Sequence, residues 1–154
     1  MPLGPVQAGG EYYANSRMGC NTLGVVAIKP NGKKVHCAVL TRALEKSAVL
    51  AHVGIQQVIQ ELRERGHLDG IKQIILWSDV GPSFRSWLFL SMVAIDIAGR
   101  LQLPCEVNFL LEKHGKNLCD SWFAILARRR RMSSVDRTID SYRELIQAIQ
   151  NKYI

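Results

Sequence analysis

Two aspartates, a histidine, a lysine and a run of arginines are the residues whose types and positions could do chemistry. Asp79 stands in "WSDVGPSFRS", where a hydrophobic run over 71–77 stops at Ser78-Asp79 and a Gly-Pro break leads into a second hydrophobic run. Asp120 ends "EKHGKNLCD", a polar segment that follows the next hydrophobic run, 105–111. If both runs are strands of an open α/β sheet, both acids lie beyond strand carboxyl ends, where ligands and reacting groups gather. Two carboxylates so placed could hold Mg²⁺ or Mn²⁺, hard ions that take oxygen ligands and activate water for attack on a phosphodiester. Each acid also has a plainer use: aspartate after a strand makes turns, and aspartate in a first helical turn meets the helix dipole.

His114 could orient Asp120 or a scissile phosphate, and Lys116 could contact a phosphate; the same His-Gly-Lys also suits an ordinary polar turn. Arg128, Arg129, Arg130 and Arg131 close the segment that begins near Asp120. Four consecutive arginines cover every side of a helix, so some must face a neighbour or a polyanion, and phosphate contact is favoured over a solvated helix end. Cys105, His114 and Cys119 make a poor zinc site, with irregular spacing and no fourth ligand.

The elements that must position these groups follow from turn signals and periodicity. Residues 1–20 read as an extended arm rich in Gly and Pro, and 21–154 as one domain. Two β-rich runs, 21–30 and 31–40, meet at Pro30-Asn31-Gly32 and form a hairpin. Ala51, Ile55, Val58, Ile59 and Leu62 recur at helical spacing over 47–65, with Gly66 as the cap. The run 71–77 is apolar without alternation, as expected of a strand buried on both faces. Helices follow over 83–101, 118–132 and 134–151, and the last carries Ile139, Tyr142, Leu145, Ile146 and Ile149 on one face. The order ββαβαβαα predicts an α/β fold with one mixed sheet and parallel crossovers. Trp77, Trp87 and Trp122 fall on elements that should pack together and are expected in the core.

Composition narrows the function classes. Hydrophobic residues make up 47% of the 154 and charged residues 21%, the balance of a folded globular chain. Twenty Lys and Arg against thirteen Asp and Glu give a net charge of +7, which favours polyanionic partners, DNA or RNA, besides other protein subunits. No glycine-rich phosphate loop follows a strand, so neither a nucleotide cofactor nor a small-molecule substrate is expected. The apolar run over 86–98 contains Asp96 and is too short to span a bilayer, and the start lacks a signal peptide's apolar core. Four widely spaced cysteines point to a reducing, intracellular compartment, whether nucleus, cytoplasm or organelle.

Taken together, "SDVGPSFRSW" and the later "VNFLLEKHGKNLCDSWF" resemble the catalytic core of eukaryotic DDE/D DNA transposases, which is built on the RNase H-like (integrase-like) fold. The upstream "GKKVHCAVLTRALEKSAV" is similar to the strand and helix entry of that family, so the resemblance spans about residues 30–131. In that family three acids bind two divalent ions and cut or join DNA. The resemblance matches the second acid to Asp79 and the third to Asp120. The first belongs on the opening strand, yet no aspartate precedes Asp69; Glu11 lies before the strands and Glu45 at a helix entry. Val80 also stands where a glycine is more usual. Losing the central carboxylate should remove most of the site's affinity and activity. The resemblance therefore implies a domesticated or truncated transposase core in which Asp79, Asp120 and His114 are vestigial. It further implies a missing opening strand and an exposed sheet edge for the arm or another protein to cover.

The expected function is a non-catalytic, structural or nucleic-acid-binding subunit of a larger assembly, with no cofactor, or Mg²⁺ or Mn²⁺ if the site is active. Two alternatives stay open. One is an active metal-dependent DNA nuclease or integrase that uses Asp79 and Asp120 with a third carboxylate from Glu11 or another chain. The other is a ribosome-associated RNA-binding protein, since one such family shares an RNase H-like ββαβα core, although its glycine-rich loop and basic tail are absent here.

Overall fold

The computed structural model describes residues 20–43, 45–110, 118–133, 139 and 141–150. Strands β1 (Asn21–Ile28) and β2 (Lys34–Thr41) pair antiparallel, from Asn21 opposite Thr41 to Ile28 opposite Lys34. Their turn is closed by Gly32, whose φ of +78° is open to glycine and whose N–H donates to the Lys29 carbonyl at 2.8 Å. Asn31 Oδ1 accepts from the Lys33 N–H at 3.0 Å, fixing the register from within the turn.

Successive residues of a strand face opposite sides, so the hairpin offers two surfaces, and each takes a helix. On one side Leu23 seats against helix α1 (Ala48–Glu64) at Gly54, where an added Cβ would come within 2.6 Å of Leu23 Cδ2. Ser47 caps α1 by accepting the Leu50 N–H at 3.2 Å, and Gly66, at φ +67°, follows its end. Ala51, Ile55, Val58 and Leu62 are buried as their spacing predicts. On the other side Gly24 faces helix α3 (Leu118–Ser133), and a Cβ there would lie 2.8 Å from the Phe123 ring. Trp122 Nε1–H donates to the Cys37 carbonyl at 3.1 Å, tying α3 to β2.

Strands β3 (Ile74–Ser78) and β4 (Cys105–Phe109) form a second, parallel pair, joined by the composite helix α2. Ser86 caps α2 through the Phe89 N–H at 3.2 Å. The helix runs Trp87–Met92, widens into a π-helical stretch over Val93–Ala98 and closes as Gly99–Leu101 before left-handed Gln102, φ 54°. Phe89, Val93 and Ile97 are buried, and Leu101 packs against the same cluster. Their interval is four residues throughout. An α-helix of 3.6 residues per turn rotates such a row steadily off the core, whereas a wider turn holds it in line.

Helix α4 (Tyr142–Gln150) completes the fold; Leu145 and Ala148 bury against Cys20 and Ile139, with Leu40, Tyr142 and Ile149 packed around them. Arg42 lies 4.5 Å over the Tyr142 ring. Cys20, the last residue of the expected arm, is a core residue, and residues 1–19 lie outside those described.

The architecture is thus mixed α/β, with two two-stranded sheets and four helices, and the expected single mixed sheet is not formed among the described residues. β3 is covered on one face only: Ile74 and Leu76 join the core, while Ile75 and Trp77, 63% exposed, look to solvent. The apolar character of those outward residues hid the alternation in the sequence. Trp87 is 86% exposed, so of the three tryptophans expected in the core only Trp122 is partly enclosed. α2 starts four residues later than expected because Pro82 falls in a turn in which the Phe84 and Arg85 N–H groups both donate to the Gly81 carbonyl, at 3.0 and 2.9 Å. The last helix begins at Tyr142, later than expected, with Ile139 and Ser141 outside it; residues 134–138, 140 and 151 of the expected span lie outside those described. Among the described residues no helix is long and apolar enough to cross a membrane.

Phe89 is 1% exposed and meets Phe84 edge-on at 5.5 Å. Phe89→Ala should lower unfolding free energy by about 3–5 kcal/mol through lost transfer energy and the cavity left behind. Urea unfolding with an unchanged slope and a reduced midpoint measures it.

Candidate functional site

Asp79 directly follows β3, at the carboxyl end of the parallel pair, as its sequence position implies. Its side chain is engaged locally: Oδ1 accepts the Gly81 N–H at 3.0 Å, and Ser78 Oγ donates to the Asp79 carbonyl at 3.1 Å. A Cβ on Gly81 would meet Oδ1 at 2.9 Å, so the carboxylate and the glycine define one tight Asx turn. The second carboxylate oxygen remains available to a ligand at an exposed position.

Asp120 occupies the first turn of α3 and is exposed. Burial raises the pKa of the neighbouring Cys119 thiol, a backbone hydrogen bond to Val26 opposes the rise, and the Asp120 charge adds a smaller part to it. His114 and Lys116 lie outside the described residues. Among the described residues no group of three or more His, Cys, Asp or Glu side chains could hold a metal ion. No disulfide joins the four cysteines; burial pushes Cys37 and Cys105 up as well, so none of these three is an activated nucleophile.

The four arginines divide. Arg129 is half-buried, donating Nη1–H to the Ile149 carbonyl at 2.8 Å and lying 5.7 Å over the Trp122 ring, so it joins α3 to α4. Arg130 lines a small, mostly apolar cleft with Cys20, Phe123, Leu126 and Leu145. Arg128 and Arg131 are exposed, and these two carry the basic surface of α3.

A polar cluster not singled out from the sequence lies between α1 and α2. His52 is 2% exposed, and its Nε2 stands 3.0 Å from Asp96 Oδ2; Asp96 Oδ1 pairs with Arg100 Nη2 at 3.2 Å. His52 Nδ1 is buried with no hydrogen-bond partner among the described residues. A lone acid inside the apolar run 86–98 was the available signal, because such a charge needs a partner. The distance from His52 to Asp96 in sequence gave no motif, and only helix packing joins them.

Because Asn makes the same turn, Asp79→Asn should leave stability within about 0.5 kcal/mol, whereas Asp79→Ala, which loses the Gly81 contact, should cost up to about 1 kcal/mol. Urea midpoints of the two variants decide it; equal losses would assign Asp79's contribution to charge instead. Compared with known proteins, the chain matches no family model, no curated protein and no solved structure.

Proposed function

We propose that this chain is a transposase-derived, RNase H-like module that has lost catalysis and serves as a structural or nucleic-acid-binding subunit of a larger assembly. The observation that carries the reading is the acid inventory. No aspartate precedes Asp69, β1 and β2 contain no carboxylate at all, and Asp79 is held in a turn. A two-ion site needs a carboxylate bridging both ions. The mixed α/β character and the parallel β3–α2–β4 crossover support the α/β part of this reading, and the motifs around Asp79 and Asp120 support the transposase origin.

Nucleic-acid binding rests on the net charge of +7 and on exposed Arg128 and Arg131. Polyanion binding releases counterions, so it should weaken steeply with salt. Arg129 is set apart by its bond to α4 and acts in folding.

With Mg²⁺ or Mn²⁺ the purified chain should neither cleave nor join DNA; metal-dependent cleavage abolished by Asp120→Asn would instead establish the active-nuclease reading. Binding to single- and double-stranded DNA and RNA should fall with salt, and Arg128→Ala/Arg131→Ala should reduce the log–log salt slope by about 2. Fluorescence anisotropy at several salt concentrations measures the slope, and an unchanged slope removes these arginines from the interface.

A further inference from the structure

The hairpin of β1 and β2 carries charge of one sign only. No acid stands between Glu11 and Glu45, whereas Lys29, Lys33, Lys34 and Arg42 all lie in or beside the hairpin. The helices hold it at Leu23, Gly24, His36 and Cys37. Beyond these contacts the tip stands in solvent: Ile28 is 60% exposed, and residues 30–34 are exposed with it. At the rise of a strand residue the ribbon reaches roughly 15 Å past His36.

Lysine placement at the tip points to a bound polyanion. Lys29 N–H donates to the Lys33 carbonyl at 2.9 Å, so these two lysines stand opposite each other across the mouth of the turn. Like charges so placed destabilise a strand pair. Among the described residues no carboxylate lies within ion-pair distance of Lys29, Lys33 or Lys34. Lys34 is paired with Ile28 on the next rung and so leaves the ribbon on its other face. Ammonium groups thus project from both faces of one narrow ribbon, an arrangement that two walls of phosphates neutralise.

We propose that this tip enters the major groove of duplex DNA, where Lys29, Lys33 and Lys34 meet phosphates on the two walls. The proposal rests on the nucleic-acid reading above and adds to it the element that binds and the form of nucleic acid bound. The major groove of B-DNA is about 12 Å wide and admits a two-stranded ribbon. That of A-form RNA is deep and too narrow for side chains to read. Single strands are held by stacking bases on aromatic rings, and residues 28–35 contain no Trp, Tyr or Phe. Helix α3, with exposed Arg128 and Arg131, is fastened to the same hairpin through Trp122, whose ring lies 5.1 Å from His36, and supplies flanking phosphate contacts.

Fluorescence anisotropy of the whole chain with a labelled DNA duplex, an RNA duplex of the same length and the single DNA strand, each over a salt series, tests it. Duplex DNA should bind tightest. Lys29→Ala/Lys33→Ala/Lys34→Ala should lower the log–log salt slope for duplex DNA by about 2.7, near 0.9 for each lost phosphate contact, and erase the preference over the single strand. Circular dichroism of this variant should match wild type, and in the wild-type chain the amide resonances of residues 28–35 should shift when duplex DNA is added. A wild-type chain that binds none of the three nucleic acids removes the nucleic-acid reading and this proposal with it. Wild-type binding whose slope the triple variant leaves unchanged, or that leaves the tip amides unmoved, overturns the proposal alone and assigns the contact to Arg128 and Arg131. Tighter binding to the single strand or to the RNA duplex overturns the major-groove assignment, as does binding to phosphatidylserine–phosphatidylcholine vesicles in preference to duplex DNA.

Discussion

Two separate strand pairs share one apolar cluster, and the rest of the molecule depends on it. Ala51 and Ile55 of α1 meet Phe89, Val93 and Ile97 of α2, with Leu23 reaching in from the hairpin and Ile74, Leu76, Cys105 and Val107 from the parallel pair. Among the described residues no backbone ladder joins β1 or β2 to β3 or β4. Side-chain packing on α1 therefore does what hydrogen bonding does inside a continuous sheet. This is why the Gly54 notch matters: a side chain there would displace Leu23, the hairpin's contribution to that cluster.

The same cluster explains the irregular course of α2. A row of large residues four apart must stay on the core, and the π-helical stretch lets it do so. Its cost is visible on both sides. Inward, Asp96 meets His52 and Arg100, a paired carboxylate that retains one unsatisfied ring nitrogen beside it. Outward, the helix presents an apolar stripe to solvent. The carboxyl ends of β3 and β4 sit apart from this arrangement, and there Asp79 is bound into turn geometry, with no metal-holding group of acids formed among the described residues.

Much of this was readable from local pattern. The hairpin at Pro30-Asn31-Gly32, the buried row on α1, the strand ending before Asp79 and the helix bearing Asp120 all follow from turn chemistry and periodicity, which act within a few residues. Burial of β3 was misread because Ile75 and Trp77 are apolar yet face outward, and hydrophobicity alone does not reveal whether a second layer exists to cover a strand. The arginine run was read as one basic unit, but the approach of α4 draws Arg129 into a carbonyl bond and half-buries it, while Arg128 and Arg131 are exposed. The His52–Asp96 pair lies 44 residues apart, beyond the reach of any spacing rule.

The sequence by itself determined the elements, their order and the acid inventory, since strand alternation, glycine turns, serine caps and the absence of an early aspartate are all properties of neighbouring residues. Tertiary structure alone decided that the described strands form two pairs rather than one sheet, which tryptophans meet solvent, how the arginines are divided and where a histidine finds its carboxylate. Those outcomes depend on which surfaces are covered by elements distant in sequence, and coverage is a property of packing that no local pattern contains.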